Sequence, residues 1–181
     1  MTDVIIDHAV LHKKEMNPMK KMFFLFVLLL PFACGCMAST KSAEHPAADT
    51  VSALIAAEDA EDWDTYVELW CQNERDSYMQ MVQNHYKQAN RVGIFNVKSA
   101  AVKELTALPL EDASPYILNF DEYESMYDTV AAFLVDVDYQ VYREDQYQTN
   151  GVNHRLALLG MEDGEWRIVE WSVAPPALTA P

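Results

Sequence analysis

An α+β fold is predicted, with N-terminal helices packed on a curved antiparallel sheet that closes into a cone. Three observations carry this expectation. Apolar residues recur at spacings of three and four between residues 50 and 89. From residue 129 the spacing changes to two. Asn150-Gly151 and Asp163-Gly164 then divide the second half into runs of strand length. The first period is that of a helix with one buried face, and the second that of a strand with one buried face.

The helices come first. In "TVSALIAAE", Thr50 stands as a cap, and Val51, Leu54, Ile55 and Glu58 share one spacing. In "EDAEDWDTYVELW", Asp62 caps a run with Trp63, Tyr66, Val67 and Trp70 at helical positions. Asn73 caps a third helix through about Ala89, with Tyr78, Met81, Val82, His85 or Tyr86, and Ala89 on its stripe. Residues 93–108 read as one or two strands. Residues 109–128 read as a loop with a short helical turn after Ser114-Pro115.

The strands follow. In "VAAFLVDVDYQVYRED", Phe133, Val135, Val137, Tyr139 and Val141 fall on one face, and Asp136, Asp138 and Gln140 on the other. Asn150-Gly151 is a two-residue hairpin signal. It places Tyr147 opposite His154 and Asp145 opposite Leu156. Asp163-Gly164 places His154 opposite Val173 and Leu156 opposite Trp171. One face then carries Leu156, Leu158 and Trp171 with Tyr139. The opposite face carries Arg155, Leu159, Ile168 and Glu170.

Charge narrows the partners. The 181 residues hold 13 basic and 28 acidic side chains, a net charge of −15. Phosphate backbones repel such a chain, and no basic stripe interleaved with aromatics is present, so nucleic acid is set aside as a partner.

The N-terminus speaks of cellular address. Lys20 and Lys21 precede the apolar run "MFFLFVLLLPFA", residues 22–33. A basic segment before a short apolar run reads as a secretory signal. The run falls short of the roughly 20 residues that span a bilayer. "Ala33-Cys34-Gly35-Cys36" resembles the bacterial lipoprotein box, with Ala33 where leucine is usual. That resemblance implies lipidation at Cys36. Cys34 is the second choice, with Pro31 at its leucine position. Simple cleavage after "CMA" is the alternative. Residues 1–18 do not fit a signal, so Met19 is the expected start and the upstream stretch an extension or a misassigned start. Residues 37–48 are small and polar and read as a tether. A domain over 49–176 and a tail of 177–181 complete the chain. Three acids and four bases lie in residues 1–36, which leaves 25 against 9 beyond them, or −16. Such a charge keeps the domain off an anionic membrane surface.

The segment "EDQYQTNGVNHRLALLGMEDGEWRIVEWSVAPP", residues 144–176, resembles the C-terminal strands of the nuclear transport factor 2-like superfamily. It looks most like bacterial secreted or lipoprotein members, in which a strand ends "G-x-W-[RK]-I-x-x-x-S". "DAEDWDTYVELW", residues 59–70, is similar to the helix in which an aromatic follows an acidic cap. The resemblance spans roughly residues 50–176. It implies a cone of sheet and helices enclosing a pocket, on which isomerases, dehydratases, cyclases and non-catalytic modules are all built. Fold therefore leaves function open.

Two sets of residues compete. Trp63, Tyr66, Trp70, Tyr78, Tyr86, Tyr139, Arg143, His154 and Trp171 are candidates for a pocket lining, against plain core. Asp145 and His154, with Tyr139 or Tyr147, are the acid–base group of an enzyme, against an ion cluster at a hairpin tip. No metal site is expected: the histidines of the mature region lack ligand spacing, and Asp136 and Asp138 lack the loop and glycine of a calcium site. No cofactor is expected. Cys71 reads as a buried, inert thiol. The expected role is a lipid-anchored, extracytoplasmic binding module without catalysis. Its partner is a small apolar ligand in the cone, an envelope protein, or a second copy docked through Leu159, Trp166 and Ile168. The enzyme is the alternative.

Overall fold

Helical and extended periodicity separate as expected in the computed structural model, which describes residues 45–179. The signal, Cys34, Cys36 and the tether up to residue 44 lie outside the described residues. The elements are α1 (Ala48–Asp59), α2 (Trp63–Glu68), α3 (Gln72–Val82), α4 (His85–Ala89), a 3₁₀ turn (Gly93–Asn96), β1 (Val97–Leu108), α5 (Leu110–Ala113), a 3₁₀ turn (Ser114–Tyr116), α6 (Phe120–Met126), β2 (Val130–Val141), β3 (Gly151–Glu162), β4 (Glu165–Val173) and α7 (Pro176–Thr179). The fold is α+β. Its antiparallel sheet runs in the order β1-β2-β3-β4.

The caps divide between success and correction. Asp62 accepts the Thr65 N–H at 3.2 Å and starts α2. Thr50 does not cap α1. The helix begins earlier, at Ala48, and the Thr50 hydroxyl donates to the Trp166 carbonyl at 3.3 Å. Asn73 lies inside α3, which Cys71 precedes. The long third helix is two, because Asn84 leaves the helical path and caps α4 through the Lys87 N–H at 3.0 Å. Packing reaches past the expected boundaries. His45 sets its ring edge-on to Phe133 and Trp166, and Leu178 of α7 packs on the outer core.

Strand β2 keeps its expected alternation: Phe133, Val135, Val137, Tyr139 and Val141 are all buried. Strand β3 does not. Asp136, rather than Tyr147, stands opposite His154, a slip of eleven positions. An odd slip turns a strand over. Arg155, Ala157 and Leu159 therefore share the face of Tyr139, and Leu156 and Leu158 take the other. The cause is the Asn150-Gly151 pair. A type I′ turn needs positive φ at both residues. Here Gly151 alone has it, at 94°, and opens β3. Residues 142–150 form the connection instead. Asp163-Gly164 is the true tight turn, with φ of 52° and 82°. A bulge follows between Leu158 and Leu159, so Arg155 rather than His154 opposes Val173. This one-residue slip restores Trp171 to the expected face and brings Ile168 there as well.

Both faces of the sheet carry apolar cores. The inner one packs Val51, Leu54 and Ile55 of α1 and Tyr66 of α2 against Phe133, Val135, Tyr139, Leu159 and Ile168. The outer one packs Leu156, Leu158 and Val169 under Ala113, Ile117 and Tyr127. Leu159 and Ile168 are thus interior residues, not a docking face, and Trp166 packs with them. Bulges at Val97/Ser99 and Val102/Glu104 bend β1, whose outer edge no other described strand pairs, and Lys98 and Lys103 there discourage strand addition. The other edge is covered, since the Ile168 N–H donates to the Leu69 carbonyl and the Cys71 N–H to the Ile168 carbonyl, both at 2.9 Å.

Candidate functional site: a buried carboxylate under the 142–150 loop

Glu58 closes the apolar stripe of α1 and faces the sheet. It is 5% exposed. Tyr139, fully buried on β2, donates its hydroxyl to Glu58 Oε2 at 3.0 Å. Arg155, 5% exposed on β3, holds its guanidinium carbon 5.5 Å from the centre of the Tyr139 ring. Its Nη2 donates to the Tyr147 carbonyl at 2.7 Å, and its Nε has no partner among the described residues. Among the described residues Glu58 makes no ion pair. Carboxylate and guanidinium flank one tyrosine without meeting.

Burial raises the Glu58 carboxyl from the ordinary 4.5 to about 7, against the opposing pull of the Tyr139 hydrogen bond and of Arg155. Burial also holds the Tyr66 and Tyr139 phenols well above their ordinary value, and the Glu58 charge adds to both. The phenols therefore stay protonated at neutral pH, while Glu58 exchanges its proton there.

Above this group lies the 142–150 loop. Asn96, also buried, accepts the Arg143 N–H at 3.0 Å and donates Nδ2 to the Arg143 carbonyl at 2.7 Å. Asp145 accepts the N–H groups of Tyr147 and Gln148 at 2.7 and 2.9 Å. Asn150 Oδ1 accepts the Val141 N–H at 2.9 Å and extends the ladder by one rung. Asp145 thus serves its own loop and Tyr147 is exposed. His154 is on the outer face, where Nδ1 stands 2.6 Å from Asp136 Oδ1. The acid–base group of Asp145, His154, Tyr139 and Tyr147 is not brought together.

The pocket candidates divide in the same way. Trp70 and Tyr78 stack at 3.7 Å between ring centres. Tyr66 meets Trp63, Trp70 and Tyr78 at 5.8, 6.2 and 5.8 Å, and Trp63 meets Phe95 at 5.0 Å. Ring contacts of this kind each add about 0.5–1.5 kcal/mol beyond area burial. Tyr139 and Trp171 belong to the same core. Tyr86 is 75% exposed on α4, Arg143 is exposed in the loop, and His154 is on the far side of the sheet. Cys71 is buried, as expected.

Open grooves lie on the surface. One, of about 330 Å³, runs between Ile55, Ala56 and Asp59 of α1 and Ala101, Val102 and Leu105 of β1. Others, of about 310 and 430 Å³, border Tyr127 and Phe120. Among the described residues no group of three or more His, Cys, Asp or Glu side chains is placed to hold a metal ion. No described helix is long and apolar enough to cross a membrane.

The sequence places Glu58 on the α1 stripe and Arg155 on a strand face, but neither among the site candidates. The signal for Glu58 was a carboxylate continuing an apolar helical stripe. Arg155 had no local signal, because its face depends on the β2–β3 register. No protein-family model matches the chain, and no curated protein matches its sequence.

Proposed function

We propose that the chain is a lipid-anchored, extracytoplasmic binding module of the nuclear transport factor 2-like kind, working without catalysis and through its surface. The observation that carries this reading is the filled interior. Trp70, Phe95, Phe133 and Tyr139 are each at most 1% exposed, and the Tyr139 hydroxyl donates to Glu58. A small-ligand pocket needs a hollow with a few convergent polar groups, and the rings occupy that space. The groove between α1 and β1 is then the place for a partner: small apolar side chains line it, and Asp59, which holds the Ala100 N–H at 2.8 Å, stands at one end. The anchor rests on the cysteine pair after the apolar run, where more than one acyl chain supplies stable attachment.

The test begins with a bacterial host fed an alkyne-tagged fatty acid. The chain is expected to take up label and sediment with membranes. Cys36→Ala is expected to lose both properties and Cys34→Ala to keep them. A native mass spectrum of residues 37–181 is expected to show no retained small molecule. Unlabelled, soluble wild type would remove the anchor, and a bound metabolite would return the cone to the role of a pocket.

A further inference from the structure

We propose that Glu58 and Arg155 form a proton-controlled latch on the 142–150 loop: with Glu58 protonated Arg155 holds the loop by the Tyr147 carbonyl, and with Glu58 ionised Arg155 turns to the carboxylate and releases it. The latch does not depend on the anchoring or binding reading.

The geometry supplies both positions. The observed one has Arg155 Nη2 on the Tyr147 carbonyl at 2.7 Å and Nε unpartnered. Glu58 and Arg155 both adjoin Tyr139, the first by a 3.0 Å hydrogen bond from its hydroxyl and the second with its guanidinium carbon 5.5 Å from the ring centre. An ionised carboxylate this deeply buried is costly until a cation pairs with it. The other titratable groups that face Glu58 are Asp59 on α1, Tyr66 on α2, Tyr78 on α3 and Tyr139 on β2. None of these is a cation. Asp59 is an anion held by the Ala100 N–H, and burial keeps the three phenols protonated. Arg155 on β3 is therefore the group that answers the charge. Its Nε–H is a free donor, and a rotation about its long side chain exchanges a neutral carbonyl for a carboxylate, the stronger acceptor.

Arg155 is the side chain from the sheet that bonds the backbone of Tyr147. Asn96 clamps Arg143 at one end and Asn150 bonds Val141 at the other. Between them Asn153 of β3 accepts the Thr149 N–H at 3.0 Å and donates to the Thr149 carbonyl at 2.8 Å, and Asn96 Nδ2 reaches Gln148 Oε1 at 3.4 Å, while the Asp145 bonds are local to the loop. Loss of the Arg155 contact removes the hold on the Tyr147 carbonyl and loosens residues 144–148, while the two ends and Thr149 stay fixed. Control is local, because the guanidinium moves and the strands do not.

Hydrogen exchange of the full chain purified in detergent, from pH 5.5 to 8.5 and corrected for intrinsic base catalysis, tests this. Amides of residues 144–148 are expected to lose roughly tenfold in protection as pH rises, the scale of one hydrogen bond to a charged group. Glu58→Gln is expected to stay protected throughout. Loop protection that is flat in wild type, or a Glu58→Gln loop that loosens with pH as wild type does, overturns the latch. Should Glu58→Gln not fold, the carbon-13 shift of the wild-type Glu58 carboxyl gives its titration midpoint. Coincidence with the loop midpoint supports the latch and separation of the two refutes it.

Discussion

Replacing Glu58 by glutamine removes a titration and keeps the shape. Glutamine retains a carbonyl oxygen for the Tyr139 hydroxyl, whose bond to Glu58 spans 3.0 Å. In wild type the folded-state value of about 7 lies above the ordinary 4.5. The native state thus holds this proton more tightly than the unfolded chain does. Its contribution to folding is fully present below about pH 4.5 and is lost as pH climbs through 7. At about 1.4 kcal/mol per pKa unit the loss amounts to about 3 kcal/mol, as an order of magnitude. The other acids are common to both proteins and cancel in the comparison. Whatever the amide costs by burying its NH2 group is constant with pH. The stability of Glu58→Gln minus that of wild type is therefore expected to rise by about 3 kcal/mol between pH 4 and pH 8, with the rise complete a little above pH 7. Urea unfolding followed by tryptophan fluorescence measures it, since four tryptophans report the transition. A difference that stays constant across that range refutes the reasoning, for it would mean that the folded carboxyl titrates as an ordinary glutamate.

Other expectations follow from packing. Gly160 lies under the Tyr127 ring, where an added Cβ would come within 2.5–2.8 Å of three ring carbons. Gly160→Ala is expected to cost about 2 kcal/mol in urea unfolding, the scale of overpacking, and a change under about 0.5 kcal/mol would show that the ring moves freely. Asn96 holds both backbone groups of Arg143. Asn96→Ala is expected to cost about 2 kcal/mol and to speed tryptic cleavage after the exposed Arg143, and unchanged cleavage would show that the loop is fixed by its own bonds.

Caps and tight turns were legible where a few adjacent residues decide them. Asp62 caps because its carboxylate reaches the Thr65 N–H three residues on. Asp163-Gly164 turns because both residues accept positive φ. The burial of β2 was legible because alternation needs no partner to be seen. Asn150-Gly151 looked the same as Asp163-Gly164 and behaved differently. The Asn150 side chain bonds the Val141 N–H, and the chain spends residues 142–150 on a loop that Asn96 and Arg155 hold from beneath. That competition between a two-residue turn and a supported loop is tertiary.

The sequence by itself therefore determined the α+β class, the order of helices before strands, the inward face of β2 and the acidic surface, since each follows from residues within one or two turns of chain or from a sum of charges. Tertiary structure decided which way β3 faces, that the sheet is covered on both sides, and that a carboxylate and a guanidinium flank one phenol inside. Glu58 and Tyr139 are 81 residues apart, and Arg155 joins them through a register set by a loop and a bulge. A local pattern fixes the period of a strand, but an odd shift in pairing exchanges its faces without altering that period.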